Sequence, residues 1–298
     1  IICQTNPPTV VLVVYLISFL KKIDYIIIAM DIYPDVFFET YKNIKLKFFK
    51  EFNYFIFGKA YKKASKVVSL GEKMTEKLIQ KGVYKKNISK IYNWEPFFDS
   101  KYSIYKNKIN KPNFLKSNVL ITYIGNFGTA HQWRSLVKAI KKSELKPSQL
   151  KFLFISQGKE LINLKRYLKQ KNMSNFFVFK SPVSKPLLEK YLGYSDMGFV
   201  GIKEGFGGLV VPSKFATYIS RGLPVLYIGE DSDIRRINKF YECGLNFNTN
   251  QVSKISNFFI NIVSDKKILK QYSKNAFNFY EKKMSRSIGL NSYKDLVN

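Results

Sequence analysis

The chain has 298 residues, room for two domains of ordinary size, and its 46% hydrophobic and 16% aromatic content excludes a disordered polypeptide. Fifty Lys and Arg against 21 Asp and Glu give a net charge of +29, which raises nucleic acid or an anionic membrane as partners. The excess is nearly all Lys, spread along the chain with little Arg, which speaks against a nucleic-acid-binding protein. A codon bias toward Lys, Asn, Ile, Phe and Tyr accounts for it equally well.

The chain opens on Ile1 rather than Met, and Ile1 to Pro8 reads as the end of a strand running into a turn. Upstream residues are therefore expected to be missing. The most apolar stretch, Val10 to Leu20, is too short for a bilayer span of roughly 20 residues and is expected to form a buried helix. A buried parallel strand is expected over residues 25–29, then a helix over 44–64. Strands follow at 66–69 and 88–91, around a helix at 73–81. Cys3 and Cys243 have neither the number nor the spacing of a disulfide or zinc framework, and they fit a reducing cytosol.

Residues 94–118 are polar, punctuated by Pro96 and Pro112, and without periodicity. They mark the end of a first domain. The expected division is a first domain over 1–98, a linker over 99–118, a second domain over 119–275 and a C-terminal helical segment, 276–298, returning toward the first. In the second domain strands are expected at 119–124, 151–155, 176–179, 197–200 and 224–228. Helices are expected between them at 133–143, 160–171, 186–192 and 213–220. Near-continuous apolar strands alternating with helices predict parallel α/β sheets.

Two stretches carry chemistry. In the first, a strand runs into the turn Gly125-Asn126-Phe127-Gly128 and then a helix, an arrangement that lets backbone amides approach phosphate or is simply a tight turn. The second, from Glu204-Gly205-Phe206-Gly207-Gly208 to Pro212-Ser213-Lys214, joins an acidic residue, a glycine loop, a Pro at a helix start and a Lys. Lys214 would stand within reach of a diphosphate; the alternative is a mobile loop with a solvated Lys. Residues 41–63 interleave Lys with Phe and Tyr over too wide an arc for one packed stripe, which suits a membrane interface or a core helix with a Lys-rich outer face. His131, the only histidine, is expected to be a lone surface side chain. Asp231-Ser232-Asp233 is expected to be a helix N-cap rather than a metal ligand pair.

The order Asp31-Ile32-Tyr33-Pro34-Asp35, Tyr92-Asn93-Trp94, Tyr123 to Gly128, Glu204 to Gly207, Val211-Pro212-Ser213-Lys214 and Gly222-Leu223-Pro224-Val225 resembles glycosyltransferase family 4. It is most similar to the branch that builds bacterial O-antigens, capsules and exopolysaccharides. The resemblance covers nearly the whole chain and implies a GT-B fold, two Rossmann-like domains facing a cleft, with the first domain incomplete. Family members have a further N-terminal stretch that includes a glycine-rich loop.

The resemblance further implies a nucleoside-diphosphate sugar donor held mainly on the second domain, an acceptor on the first, retention of configuration, and no metal or other cofactor. It makes Glu204 and Asp31 the catalytic candidates. Gly125, Asn126, Gly128, Gly205, Phe206, Gly207, Gly208, Ser213, Lys214 and Thr217 become the donor-binding candidates. Pro212 or Thr217, depending on the alignment, stands where many relatives have a second Glu, and Asn126 and Gln132 stand near where they have Arg and Lys. The implied partners are the donor, a lipid-linked or other saccharide acceptor and an anionic membrane surface, with no nucleic acid. The implied setting is cytoplasmic, at the inner face of a bacterial membrane. The alternatives are a sugar-nucleotide epimerase of the same fold and a basic nucleic-acid-binding protein.

Overall fold

The structure, a computed structural model, describes residues 1–44, 46–96 and 111–297. The first part runs β1 (Ile2–Gln4), α1 (Thr9–Lys21), β2 (Ile26–Ile28), α2 (Asp35–Thr40), α3 (Lys47–Lys63), β3 (Lys66–Ser69), α4 (Glu72–Gln80) and β4 (Ile88–Lys90). The second begins β5 (Val119–Asn126), α5 (Arg134–Ser143), β6 (Leu150–Gln157), α6 (Lys159–Gln170), β7 (Phe177–Lys180), α7 (Lys185–Tyr194) and β8 (Met197–Gly201). It continues α8 (Lys214–Ser220), β9 (Val225–Ile228), α9 (Asp233–Tyr241), β10 (Gly244–Phe247), α10 (Val252–Ser264), α11 (Lys267–Phe279) and α12 (Arg286–Val297).

Two parallel sheets result, ordered β1-β2-β3-β4 and β10-β9-β8-β5-β6-β7. In the larger sheet the chain adds strands outward from β5 on one side and then, through β8, on the other. The reversal leaves a crevice at the carboxyl ends of β5 and β8, the place where open α/β sheets bind ligands. A wedge widens it. β5 and β8 pair only at Ile121–Met197 and Thr122–Gly198, and Tyr218 of α8 then stands between them, accepting the Ile124 N–H at 3.0 Å. Gly198 is required there, because a Cβ would lie 2.4 Å from the Tyr218 ring.

Both faces of this sheet are buried. Trp133, Phe152, Phe154 and Phe259 fill one side, and Leu153, Phe215, Tyr218 and Phe279 the other. The smaller sheet has its own core around Ile27, Tyr61, Val67 and Met74, into which Leu209 of the second part inserts. At the end of the chain, Ala276 and Phe279 of α11 bury against the second part. α12 brings Gly289 and Tyr293 against Trp94, with rings 5.9 Å apart.

Several expectations change. β10 and α10 were not anticipated. α1 is not a buried helix: only Val11 and Val14 are inside, while Val13, Leu16, Phe19 and Leu20 are exposed, Phe19 to 72%. The reason is that α1 rests on α3 and β1 along one narrow line and is uniformly apolar around its axis. Residue 45 and most of the expected linker, 99–110, lie outside the described residues. Among the described residues no helix is long and apolar enough to cross a membrane.

Candidate functional site

A cavity of about 600 Å³ occupies the crevice. Gly125, Asn126 and His131 line it from the β5 turn, Ser213, Lys214 and Thr217 from α8 and its approach, and Asp31 and Asn93 from the smaller sheet. Pro182, Val183 and Leu188 form an apolar end.

Lys214 dominates its electrostatics. The residue is 9% exposed, and its ammonium stands 5.0 Å from the centre of the Tyr123 ring. Among the described residues no carboxylate comes within salt-bridge distance of it. Burial alone lowers its pKa to about 8. An uncompensated buried cation beside a cavity is a site that an anion would complete.

His131 corrects the surface reading. Its ring stacks on Phe127 at 5.6 Å and meets Tyr123 edge-on at 5.7 Å, and its Nδ1 lies 3.2 Å from the Gly201 carbonyl oxygen. Burial, and then the Lys214 charge, push its pKa down to about 3, so the ring is neutral. Phe127 and Tyr123 precede it at spacings that bring all three rings to one end of β5, which a lone histidine in a sequence does not reveal.

Asp31 follows β2 and pairs through its backbone with Val210, while its N–H donates to Thr5 Oγ1 at 3.1 Å. Burial raises its carboxyl pKa to about 6. Thr217 Oγ1 donates to Glu95 Oε2 at 2.6 Å, so the carboxylate at this position comes from the segment after β4. Asn93 and Asn6 also line the cavity without having been assigned from the sequence, although Asn93 sits in the Tyr92-Asn93-Trp94 motif.

The structure does not bring the glycine loop to this cavity. Glu204 is exposed, accepts a hydrogen bond from Thr249 Oγ1 and lines a different cleft. The Gly205 and Gly207 N–H groups both donate to Glu230 Oε1 at 2.7 Å, so the amides expected to hold phosphate already hold a carboxylate. Phe206 is buried in the second core and Gly208 packs on Lys73. Gly128 does not line the cavity; its carbonyl accepts the His131 N–H. The cause is long-range. Leu209 plugs the first core and the Asp31–Val210 bridge turns the loop, while Glu230 lies far along the chain with no local pattern linking it to the loop.

The two parts are clamped beside the loop. Lys73, Glu76, Arg236 and Asp231 form a closed ring of ion pairs, at 3.4, 2.5, 2.7 and 3.0 Å in turn. Ser232 caps α9, accepting the Arg235 N–H, while Asp233 caps α4 of the other part through the Lys73 and Met74 N–H groups at 2.7 and 3.2 Å.

No protein-family model matches the chain. In sequence it is 26% identical over 164 residues to the Escherichia coli protein named "Putative colanic acid biosynthesis glycosyl transferase WcaI", covering 52% of this chain and 38% of that one. It is 23% identical over 259 residues to the Pseudomonas aeruginosa protein named "Probable glycosyltransferase WbjE", covering 83% and 61%. The chain thus spans less than two thirds of the length of these curated relatives. In structure it is similar to Anabaena HepE in complex with UDP, with a TM-score of 0.75 at 13% identity, over 99% of this chain and 78% of that one. It is also similar to WaaG, a glycosyltransferase involved in lipopolysaccharide biosynthesis, with a TM-score of 0.62 at 12% identity, over 94% and 79%. By its architecture the chain is a GT-B protein, and the proteins it resembles in sequence are bacterial glycosyltransferases.

Proposed function

We propose that the chain belongs to an enzyme that moves a sugar from a nucleoside diphosphate to a saccharide acceptor, lipid-linked, in bacterial surface-polysaccharide synthesis. The observation that carries this reading is Lys214, a buried and unpaired cation on the wall of a cavity at the sheet's reversal point. A diphosphate there would gain a charge-assisted contact, and as the sugar–phosphate bond breaks, the growing negative charge would be stabilised by a group already in place. Neutral His131 and the Gly125–Asn126 turn would flank the phosphates, the apolar end at Pro182, Val183 and Leu188 would take the base, and Asp31 and Asn93 would face the sugar. UDP-sugars are the first donors to try, since HepE has been solved with UDP and with UDP-glucose. Retention of configuration comes with the reading through the family resemblance. A setting at the membrane's inner face is supported by the Lys- and Phe-studded outer side of α3.

The test is to incubate the protein with UDP- and GDP-sugars and a bacterial lipid-linked saccharide extract. Acceptor-dependent release of nucleoside diphosphate, with the donor's anomeric configuration in the product by NMR, is the expected result. Interconversion of the nucleotide sugar without an acceptor would replace this reading with an epimerase, and release that ignores the acceptor would contradict it.

A further inference from the structure

His131 sits at the carboxyl end of β5 among groups that favour its charged form. Its Nδ1 lies 3.2 Å from the Gly201 carbonyl oxygen, and the Asn126 carbonyl is a second backbone acceptor for the ring. A neutral imidazole has one N–H to give to two acceptors, whereas an imidazolium has two. The ring also stacks on Phe127, whose face attracts a cation.

What holds the ring neutral is burial first, then the Lys214 ammonium, with a smaller part from Lys203. The Lys203 charge is already met by Glu160 at 3.0 Å. The Lys214 charge has no carboxylate within salt-bridge distance among the described residues. Tyr123, the titratable ring beside His131, is kept uncharged by its own burial, and Asp31 lines the same cavity from the smaller sheet. His131 and Lys214 both line that cavity. An anion that enters it therefore neutralises the very charge that opposes protonation of His131.

We infer that His131 is a second, latent cation of this cavity: its ring takes a proton from solvent as a diphosphate group settles against Lys214, and returns it when the diphosphate leaves. The empty site then carries one buried positive charge and the filled site two, so two unpaired cations never stand together. Because the proton is taken up on binding, affinity gains a contribution that grows as pH falls. That the anion is a diphosphate rests on the nucleotide-sugar reading.

His131 is the only histidine, so its Cε1–H NMR signal needs no assignment. It should be followed from pH 8 to pH 5 in the full chain, alone and saturated with inorganic pyrophosphate or UDP. Alone, the signal should stay at the neutral-imidazole position; with ligand, it should move toward the imidazolium position within this range. Calorimetric titration of the same ligands into the wild type and His131→Gln gives the second reading, since the ligand's own titration cancels in the ratio of affinities. The loss of affinity in the variant should be several-fold larger at pH 5.5 than at pH 8. An imidazolium signal in the empty chain, a bound-state signal that stays neutral to pH 5, or an equal loss at both pH values would overturn the inference and leave the donor reading intact. Binding of pyrophosphate with the predicted change but no binding of UDP would remove the nucleotide and keep the proton uptake. Binding of neither ligand would remove both.

Discussion

A lysine buried without a counter-charge is costly to the empty protein and useful to a bound anion. With its pKa lowered from 10.5 to about 8, Lys214 binds fewer protons in the folded chain than in the unfolded one between those values. Its burden is therefore complete below pH 8 and is relieved as pH rises toward 10.5, so in this window it contributes a rise in stability with pH. Replacing it by Met should raise the melting temperature at pH 7, by removing a penalty of up to about 3 kcal/mol. The same scan at pH 10.5 should find the two proteins closer together, and a lower melting temperature for Lys214→Met at pH 7 would show the ammonium to be paired. Asp31 behaves in the opposite sense: burial raises its carboxyl to about 6. If the carboxylate contacts the sugar, turnover should climb with pH through about 6, and Asp31→Asn should lower turnover while leaving nucleotide affinity within about twofold, a change under about 0.5 kcal/mol. A flat profile would remove Asp31 from the reaction. Gly125, Asn126, Ser213 and Lys214 were legible as site candidates because each lies at a strand end or a helix start, Asp31 and Thr217 only through the family resemblance, and all six line one cavity. Glu204 to Gly208 were read the same way and lie elsewhere, because Glu230 and the core of the other part decide where that loop goes.

At the scale of elements, Asp231-Ser232-Asp233 was legible only as a local cap. Ser232 does cap α9, but Asp233 caps α4, 160 residues earlier, a pairing that no local spacing encodes. Asp233→Ala would strand two amides at a buried helix start and should cost about 1–2 kcal/mol, measured by urea unfolding. Arg236→Gln opens only the partly exposed ion-pair ring and should cost about 1 kcal/mol or less, fading with salt. Equal losses in the two variants would contradict the cap. α3 poses a different question. Phe48, Phe52 and Phe55 are exposed, Phe48 to 82%, among Lys47, Lys50 and Lys59, while Phe57, Ala60 and Tyr61 face the core. Each Lys near an anionic surface adds on the order of 1 kcal/mol. Sedimentation with anionic vesicles should therefore exceed that with neutral ones, fall with salt, and drop when Lys47, Lys50 and Lys59 become Gln. Equal binding to both vesicle types, or binding that survives the substitutions, would leave α3 an ordinary packed helix with an exposed aromatic side.

For the whole molecule, two parallel sheets were legible because buried strands are continuous apolar runs and helices are amphipathic, so the alternation is visible without any contact being known. β10 escaped because Gly244-Leu245-Asn246-Phe247 is a short edge strand with a polar centre, and α10 escaped with it. Sheet order was not legible, and it is what creates the site: the reversal at β5 and β8, held open by Tyr218, leaves a cavity with one buried cation. The central claim is that this cation receives a diphosphate. Calorimetric titration of UDP and GDP into the wild-type chain and Lys214→Met at pH 7 tests it most directly. At least one nucleotide should bind the wild type and bind the variant about 10- to 100-fold more weakly, as loss of a charge-assisted hydrogen bond requires. Affinity for both nucleotides unchanged by the substitution would contradict the account.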